Sequence, residues 1–276
     1  MLDRIYSQNI VPACPTLLMD NGSRHTALLM ALPDTPPENW PKALLPAQAP
    51  VEQALGFLKE QKLPMPCRTA LCTMGAFAGA EEQESLRAER IRLWKEALER
   101  TGGRPDLLLK DAAACPCGAS LLNEAQKAFG TAFVSHSGAA AVLAALSMPA
   151  LRDRSWREGI TIVWAGHSHV QAFMVYQEKI SGLYEQHADL SREALLADLA
   201  ELRLNWLPDE QVRARGGHGC ICGNLPEEAE GFRPTWILGP ARARFEGCGR
   251  LLSPCGNDDF ERCFGLLSGL TDGERS

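Results

Sequence analysis

The fold is decided by two stretches, TLLMDNGSRHTALLMAL at residues 16–32 and ITIVWAGHSHVQAFMVY at residues 160–176. Each reads as an apolar strand, a short turn with one glycine and a second apolar strand. The two glycines, Gly22 and Gly166, stand about half the chain apart. This duplication predicts two similar domains that face each other. Because glycine lets backbone N–H groups approach an anion closely, the two turns are candidates to hold a phosphate chain from both sides.

The bulk composition is that of an ordinary globular protein. The chain has 276 residues, 45% of them hydrophobic and 22% charged, with a net charge of −6 and a pI of about 5.6. This balance argues against nucleic acid or an anionic membrane as the main partner. The sequence has neither a run of about 18 apolar residues nor a signal-like N-terminus, so we expect a cytoplasmic protein whose ten cysteines are reduced thiols or metal ligands.

The order of predicted elements indicates an α/β fold with mixed sheets covered by helices. We expect one subdomain over residues 1–150 and another over 151–276, with the C-terminal helix packing back on the first. Residues 106–110 (DLLLK) read as a short strand, and Ser191 reads as the N-cap of a helix. Helices are predicted near 51–62, 81–100, 118–129, 138–146, 191–204 and 258–268. Further strands are predicted at 67–75, running into a glycine turn from Gly75 to Gly79, at 131–138, where a strand enters a turn, and near 179–187, 234–239 and 250–252.

The first turn resembles the phosphate-binding hairpin of the actin, hexokinase and Hsp70 ATPase superfamily. The superfamily pattern of Asp, any residue, Gly, then Ser or Thr stands here as Asp20-Asn21-Gly22-Ser23. The resemblance implies two actin-like, ribonuclease H-like subdomains with a nucleotide cleft between them. It further implies ATP or ADP bound with Mg²⁺, backbone N–H groups on the phosphates and Asp20 near the metal.

More specifically, the chain is similar to an uncharacterised prokaryotic family of this superfamily whose members are often labelled pyruvate formate-lyase activating enzymes. The resemblance places the adenosine-binding turn at ILGPAR (237–242), and so implicates Gly239, Pro240 and Arg242. The similar stretches are PENWPKALLP (37–46), TMGAFAG (73–79), SHSGAAAVLAAL (135–146), GHSHVQAFMV (166–175), GLYEQH (182–187), GGHG (216–219), ILGPAR (237–242) and CFGLL (263–267).

The chain departs from the superfamily pattern at its acidic positions. His136-Ser137-Gly138 stands where Asp-Thr-Gly is usual, and Trp164-Ala165 replaces an acidic residue before the second turn. Asp20 is left as the candidate catalytic acid. Carboxylates near the phosphates hold Mg²⁺ and position the attacking water, so we expect a nucleotide-binding protein with weak or degenerate ATPase or phosphotransferase activity. The predicted phosphate-binding residues are Gly22, Ser23, Ser137, Gly138, Gly166, His167 and Ser168.

The activating-enzyme label fails a test on cysteine spacing. Radical chemistry of that kind needs C-x₃-C-x₂-C for an iron–sulfur cluster, and the sequence has no such spacing. It has two C-x-C pairs, Cys115/Cys117 and Cys220/Cys222. With Cys255 or Cys263 they are candidates for a soft metal, but we favour ordinary thiols because paired zinc ligands usually have longer spacers.

Four residues of the second half are predicted to converge. If residues 170–177 and 179–187 form a meander, Glu185 and His187 come beside His169, and His218 in GGHG can return to the same end. Three histidines and one carboxylate suit zinc, iron or manganese. The alternative is a set of hydrogen-bonded turn residues. A third hypothesis is a non-catalytic regulatory protein that kept the fold and lost the chemistry.

Overall fold

The chain forms two compact units, and the computed structural model describes residues 10–73, 84–110, 118–223 and 225–272 of it. The first unit comprises Met1–Ala76, Asp106–Ala144 and Pro254–Ser276, and the second comprises Phe77–Pro105 and Ala145–Ser253. The subdomain boundary near residue 150 stays a prediction. The predicted Cys115/Cys117 pair and the predicted turn from Gly75 to Gly79 lie outside the described residues.

In the described part of the chain, the first unit contains a sheet of order β3-β2-β1-β4-β5. The first hairpin is antiparallel, and β4 and β5 run parallel to β1, so that Asn21, Thr73 and His136 stand in one row at the strand ends. The strands are β1 (Thr16–Asn21), β2 (His25–Ala31), β3 (Lys42–Pro46), β4 (Arg68–Thr73) and β5 (Ala132–His136).

The first sheet is buried on both faces, as the alternation of its side chains requires. Leu17 and Met19 of β1 pack with residues of α1 (Pro50–Glu60) and α4 (Ala119–Phe129). Leu18 points the other way and packs in a second cluster. The helices of that cluster are α3 (Pro105–Lys110), α5 (Ser137–Leu146) and α9 (Glu261–Asp272), the last of which contacts β1 and β4.

The prediction of a strand at residues 106–110 was wrong. These residues lie in α3, which begins at Pro105 and has Asp106 in its first turn and Lys110 in its last. Proline is favoured at the first position of a helix, and both charges complement the helix dipole. A run of three leucines is ambiguous by periodicity alone, and these end signals indicate a helix.

The second unit repeats the strand order of the first. Among its described residues the sheet order is β11-β10-β6-β7-β8-β9. Strands β6, β7 and β8 form the predicted antiparallel meander, and β10 and β11 run parallel to β6. The strands are β6 (Ile160–Ala165), β7 (His169–Tyr176), β8 (Lys179–His187), β9 (Gly219–Ile221), β10 (Thr235–Leu238) and β11 (Arg250–Leu251).

The second sheet is also covered by helices. Its core cluster joins Val163 and Tyr184 of the sheet to Leu195 and Leu199 of a helix whose predicted N-cap is confirmed. The Ser191 side chain accepts a hydrogen bond from the Ala194 N–H at 3.1 Å. The helices of this unit are α2 (Glu84–Thr101), α6 (Pro149–Arg157), α7 (Arg192–Arg203) and α8 (Asp209–Ala214).

The duplication predicted from the two hairpins is therefore a duplication of whole sheets. Strands β8-β7-β6-β10-β11 match β3-β2-β1-β4-β5 in order and in direction, and β9 is an addition beside β8. The predicted fold class, two mixed sheets flanked by helices, is confirmed. Within the described residues, no helix combines the length and the apolar character that crossing a membrane requires.

Candidate functional site

The two glycine turns have the same backbone geometry. The Gly22 N–H donates to the carbonyl of His25 at 3.0 Å, and the Gly166 N–H donates to the carbonyl of His169 at 2.9 Å. A Cβ atom at either glycine would lie 3.0 Å from that same carbonyl oxygen, which is tighter than most real contacts. Both turns therefore favour glycine for the same physical reason, at matching strand ends of the two sheets.

The acid of the first turn does not face solvent. The Asp20 carboxylate is buried, and its Oδ1 accepts hydrogen bonds from Cys72 Sγ at 3.3 Å and from Arg262 Nη1 at 3.4 Å. Arg262 comes from α9 and is itself buried. Asp20 is thus paired with a buried cation of its own unit.

Ser137 and Gly138 lie at the carboxyl end of β5, where α5 begins. Because β1, β4 and β5 are parallel neighbours, this helix start is on the same edge of the sheet as the Gly22 turn. That edge is where open α/β sheets bind ligands. The Gly138 N–H donates to His136 Nδ1 at 3.1 Å, and Ser137 is fully buried.

The turn after β10 adjoins the Gly166 turn of the second unit. Gly239 has a φ of 103°, and a Cβ atom there would lie 2.6 Å from the carbonyl oxygen of Ala165. The Ala241 N–H donates to that same carbonyl at 2.9 Å. The predicted residues Gly166 and Gly239 are thus brought together, and Arg242 donates to the Gly239 carbonyl through its N–H (3.1 Å) and its Nη1 (3.4 Å).

Residues His167 and Ser168 of the second turn differ in their surroundings. His167 is exposed, while the carbonyl of Ser168 accepts from the Ala188 N–H at 3.0 Å. The Ser168 hydroxyl lies 2.9 Å from Nδ1 of His169. The turn therefore holds one histidine outward and fixes the orientation of the next.

A cluster of histidines forms at the end of β7, as the meander predicted. His169 pairs with His187 across β7 and β8, and their rings stack with centroids 5.4 Å apart. The His218 N–H donates to the Glu185 carbonyl at 3.0 Å, which brings its ring to 4.7 Å from that of His169. The two Nε2 atoms are 2.9 Å apart. The possible ligand atoms of His169, Glu185 and His218 all lie within 4.8 Å of one another.

The fourth predicted member, His187, lies beside this group. Its ring centroid is 5.8 Å from that of His218, and it is not part of the set of three. Glu185 and His218 are almost completely buried, whereas His169 is partly exposed. The cluster is therefore open on one side, at the histidine that follows the glycine turn.

The electrostatics of the cluster keep His218 neutral. Burial lowers the pKa of His218 to about 3, with further lowering by Arg90, His169 and His187 and a partial opposing effect of Glu185. The Glu185 Oε1 accepts a hydrogen bond from Arg90 Nη2 at 2.5 Å, and both residues are buried. A neutral imidazole is the form that can bind a metal ion.

Sequence reasoning missed Arg90 and Arg262, the two arginines that contact the candidate acids. From sequence the α2 segment reads as a solvated charged helix with Ile91, Leu93 and Trp94 near the core. Ile91 and Trp94 are buried, and Leu93 is half-buried. Arg90 stands four residues before Trp94 on the same face, so helical spacing could have indicated its burial. No signal pointed to Arg262, because its partner is 242 positions away.

The described cysteines do not form a metal-binding group of three or more with other candidate ligands. Cys220 and Cys222 both donate to the carbonyl of Leu207, at 3.4 and 3.5 Å. Cys255 donates to the carbonyl of Asn257, and Cys263 to that of Ala27. These contacts fit the interpretation of the four residues as ordinary thiols.

Comparison with protein families decides the relationship. A family model described as "Putative pyruvate format-lyase activating enzyme (DUF1786)" matches residues 37–244. The chain belongs to this family. The match begins after the first hairpin and includes the second, so the family region contains the histidine cluster but not Asp20.

Solved structures similar to this family member share its fold at low sequence identity. A PilM–PilN type IV pilus biogenesis complex has a TM-score of 0.51 and 11% identity, covering 93% of this chain and 98% of that chain. A Bacteroides thetaiotaomicron protein with actin-like ATPase fold and unknown function has a TM-score of 0.44 and 10% identity, covering 97% and 99%. The activator of the 2-hydroxyisocaproyl-CoA dehydratase from Clostridium difficile with bound ADPNP has a TM-score of 0.45 and 7% identity, covering 95% and 98%.

The family member shares its fold with the PilM–PilN complex, and its two units are each built on the strand order described above. A search of the curated proteins found no match. Similarity at these identities extends to the fold and not to the chemistry, so the function has to be argued from the site itself.

Proposed function

We propose that this protein binds an adenine nucleotide, ATP or ADP, and hydrolyses it weakly or not at all. The observation that carries the proposal is the repeated turn, in which Gly22 and Gly166 make the same backbone hydrogen bond at matching strand ends. A glycine turn between two strands presents backbone N–H groups to an anion without a side chain in the way. The turn recurs at the corresponding strand ends of the two duplicated sheets, which supports the same phosphate-binding role for both turns.

The proposed phosphate contacts in the first unit come from the Gly22–Ser23 turn and from the start of α5. Ser137 opens a helix of ten residues directly at a strand end. Helix starts of this kind favour phosphate because their N–H groups and the helix dipole both point at it. Gly138 adds close backbone approach.

In the second unit, Gly166, His167 and Ser168 are the proposed phosphate contacts. The proposed adenosine contacts are Gly239, Pro240 and Arg242, which the superfamily resemblance implicates and which lie beside the Gly166 turn. The exposed His167 supports this assignment because its ring is available to a ligand.

The fit to Mg²⁺ is poorer than the fit to phosphate. Mg²⁺ in nucleotide sites is held by carboxylates and water, and Asp20 is the acid remaining at the superfamily positions. Its Oδ1 is already bonded to Arg262 and Cys72. We therefore propose that Asp20 stabilises the turn and that any Mg²⁺ arrives bound to the nucleotide phosphates.

Calorimetric titration with ATP·Mg²⁺ and with ADP tests the proposal. We expect binding by the wild type and a loss of affinity of about tenfold or more in Gly22→Ala and Gly166→Ala, because each new Cβ crowds the N–H groups that receive the phosphate. Gly56→Ala is the matched control, since a Cβ there meets no atom within 4 Å. Phosphate release measured in parallel should stay near the buffer rate.

Two results would contradict the proposal in different ways. Absence of heat at millimolar nucleotide with folded protein would remove nucleotide binding and favour a non-catalytic regulatory role. Rapid hydrolysis that is abolished in Asp20→Asn would keep nucleotide binding and assign catalysis to Asp20.

A further inference from the structure

We propose that His169, Glu185 and His218 form a binding site for one divalent first-row transition metal ion, with zinc as the first candidate and His187 as an additional ligand. The proposal concerns the second unit alone and does not depend on nucleotide binding. It stands against the alternative interpretation, in which the cluster is only a set of hydrogen-bonded turn residues.

The geometry of the three side chains is close to that of a bound ion. Their possible ligand atoms lie within 4.8 Å of one another, and the Nε2 atoms of His169 and His218 are 2.9 Å apart. Two imidazole nitrogens on a tetrahedral zinc ion, each about 2.0–2.1 Å from it, stand about 3.3 Å apart. A shift of a few tenths of an ångström would open the pair around an ion.

The donor set selects the class of ion. Two histidines and a carboxylate are the protein ligands of many catalytic zinc sites and of non-haem iron sites. Mg²⁺ and Ca²⁺ require more oxygen ligands than this cluster offers. Arg90 donates to Glu185 Oε1 and so holds the carboxylate in place, as outer-sphere partners of metal ligands commonly do.

The internal duplication shows that the fold does not require this cluster. His25 occupies in the first hairpin the position that His169 has in the second, three residues after the turn glycine. Across the strands, however, His25 pairs with Pro46 and Ala27 with Leu44, where the second unit has His187 opposite His169 and Glu185 opposite Gln171. A histidine stands at this position in both turns. The potential ligands Glu185, His187 and His218 are present only in the second unit, among the described residues.

Burying the polar side chains of Glu185 and His218 costs free energy, which indicates that they have a function. Glu185 has no exposed surface and His218 is 1% exposed. Apolar residues of similar size would fill such positions without the penalty of removing the Glu185 carboxylate and its partner, the Arg90 guanidinium, from water. A metal ion gives these buried polar groups a role that packing alone does not.

Elemental analysis and zinc titration of the full-length protein test the proposal. Protein produced with zinc, iron and manganese in the medium is first analysed for bound metal. It is then stripped with a chelator and titrated with Zn²⁺ against a chromophoric competitor, without nucleotide. The variants are His169→Gln, His218→Gln and His187→Gln, and the controls are His25→Gln and Asp34→Asn, both at exposed positions.

We expect about one metal ion per chain in the wild type and a loss of zinc affinity of about 100-fold or more in His169→Gln and His218→Gln. His187→Gln should lose less, about tenfold, because His187 lies outside the set of three closest ligands. The two controls should stay within about threefold. Substitution with Co²⁺ should give the strong visible absorption of a four-coordinate site, and His169→Gln should abolish it.

Each outcome is decisive. No bound metal together with zinc affinity weaker than the competitor range would overturn the site, and so would equal binding by the wild type and His169→Gln. Iron or manganese at the same stoichiometry and with the same variant pattern would support the site. If circular dichroism shows that His218→Gln does not fold, the test of the site rests on two other measurements. These are the zinc affinity of His169→Gln, whose position is partly exposed, and the Co²⁺ spectrum of the wild type. Nucleotide calorimetry on the same samples separates a failure here from a failure of the proposed function.

Discussion

At the scale of single residues, the most informative contact is that of Asp20 with Arg262. The superfamily resemblance assigns this acid to a metal ion, whereas the structure gives it a buried guanidinium 3.4 Å from Oδ1. A buried carboxylate with a buried cation beside it is held in one orientation, and removing either partner leaves the other buried without its counter-charge. Asp20 can thus be essential to the turn without taking part in any reaction.

We expect the Asp20–Arg262 pair to stabilise the folded protein in the absence of any ligand. Asp20→Asn should lower the free energy of unfolding by about 2–4 kcal/mol, because Arg262 is left as a buried cation beside a neutral amide. Asp34→Asn is the control at an exposed aspartate and should change it by less than about 0.5 kcal/mol. Urea unfolding without nucleotide or metal measures both. Equal stability of Asp20→Asn and the wild type would show that the pair is dispensable.

The same pair shows where residue-level prediction from sequence stops. Asp20, Gly22 and Ser23 could be identified because a local motif contains them all. His169, Glu185 and His187 could be grouped because a meander has a fixed antiparallel geometry. The acidic partners of Arg262 and Arg90 could not be predicted, since they are set by how helices far along the chain pack on the sheets.

At the scale of elements, the short strand β9 carries chemistry that is separate from the histidine cluster. Cys220 lies in β9 and Cys222 directly follows it, and both thiols point at the Leu207 carbonyl. A hydrogen bond from Cys220 lowers the pKa of Cys222, while the same bond together with burial raises the pKa of Cys220. The pair is therefore asymmetric, with one thiol activated and the other suppressed.

We expect alkylation to distinguish these two thiols. With iodoacetamide near pH 8, Cys222 should be modified well before Cys220, because a lowered pKa increases the thiolate fraction and the thiolate is the nucleophile. Peptide mapping by mass spectrometry over a time course measures this order. The Cys222→Ser variant should leave Cys220 slow to react. Modification of Cys220 at the same rate as Cys222 would contradict the asymmetry.

Elements whose signals are local were predicted well. The charged segment 192–203 forms the expected helix behind Ser191, and β8 spans the predicted residues 179–187. Two segments were predicted wrongly. In α3 a run of three leucines suggested a strand and Pro105 decided for a helix, and residues 151–159, expected to be a charged linker, lie largely in α6. For a short apolar run, the proline, capping and charged residues at its two ends are more informative than its periodicity.

At the scale of the whole molecule, each unit has its own apolar core but neither is a continuous segment. The first unit takes its last helix from residues 261–272, and Phe264, Leu266 and Leu267 of that helix are buried with Leu18 and Ala70 of the first sheet. The duplicated order of strands could be suspected from the two hairpins. The return of the C-terminal helix to the first unit was among the expectations. The placement of α2 in the second unit could not be predicted, because no local pattern says which sheet a distant helix covers.

A fragment of residues 1–150 should therefore fail to fold cooperatively. Loss of α9 exposes several large apolar side chains of the first sheet, each worth about 1.5–3 kcal/mol, against a typical total stability of about 5–15 kcal/mol. Circular dichroism with urea, compared with the full chain, measures the transition. Adding a peptide of residues 254–276 should restore part of it. A sharp transition in the fragment alone would show that α9 is not needed.

The position of α9 also has a consequence in time. Asp20 and Arg262 are separated by 242 positions, so at roughly 5–20 residues per second a growing chain carries β1 for about 12–50 seconds before its partner exists. The segment Ala145–Ser253 emerges entirely within that interval. The unit whose sheet is synthesised first is thus completed last, and during translation the uncovered face of that sheet is a surface for a chaperone to bind.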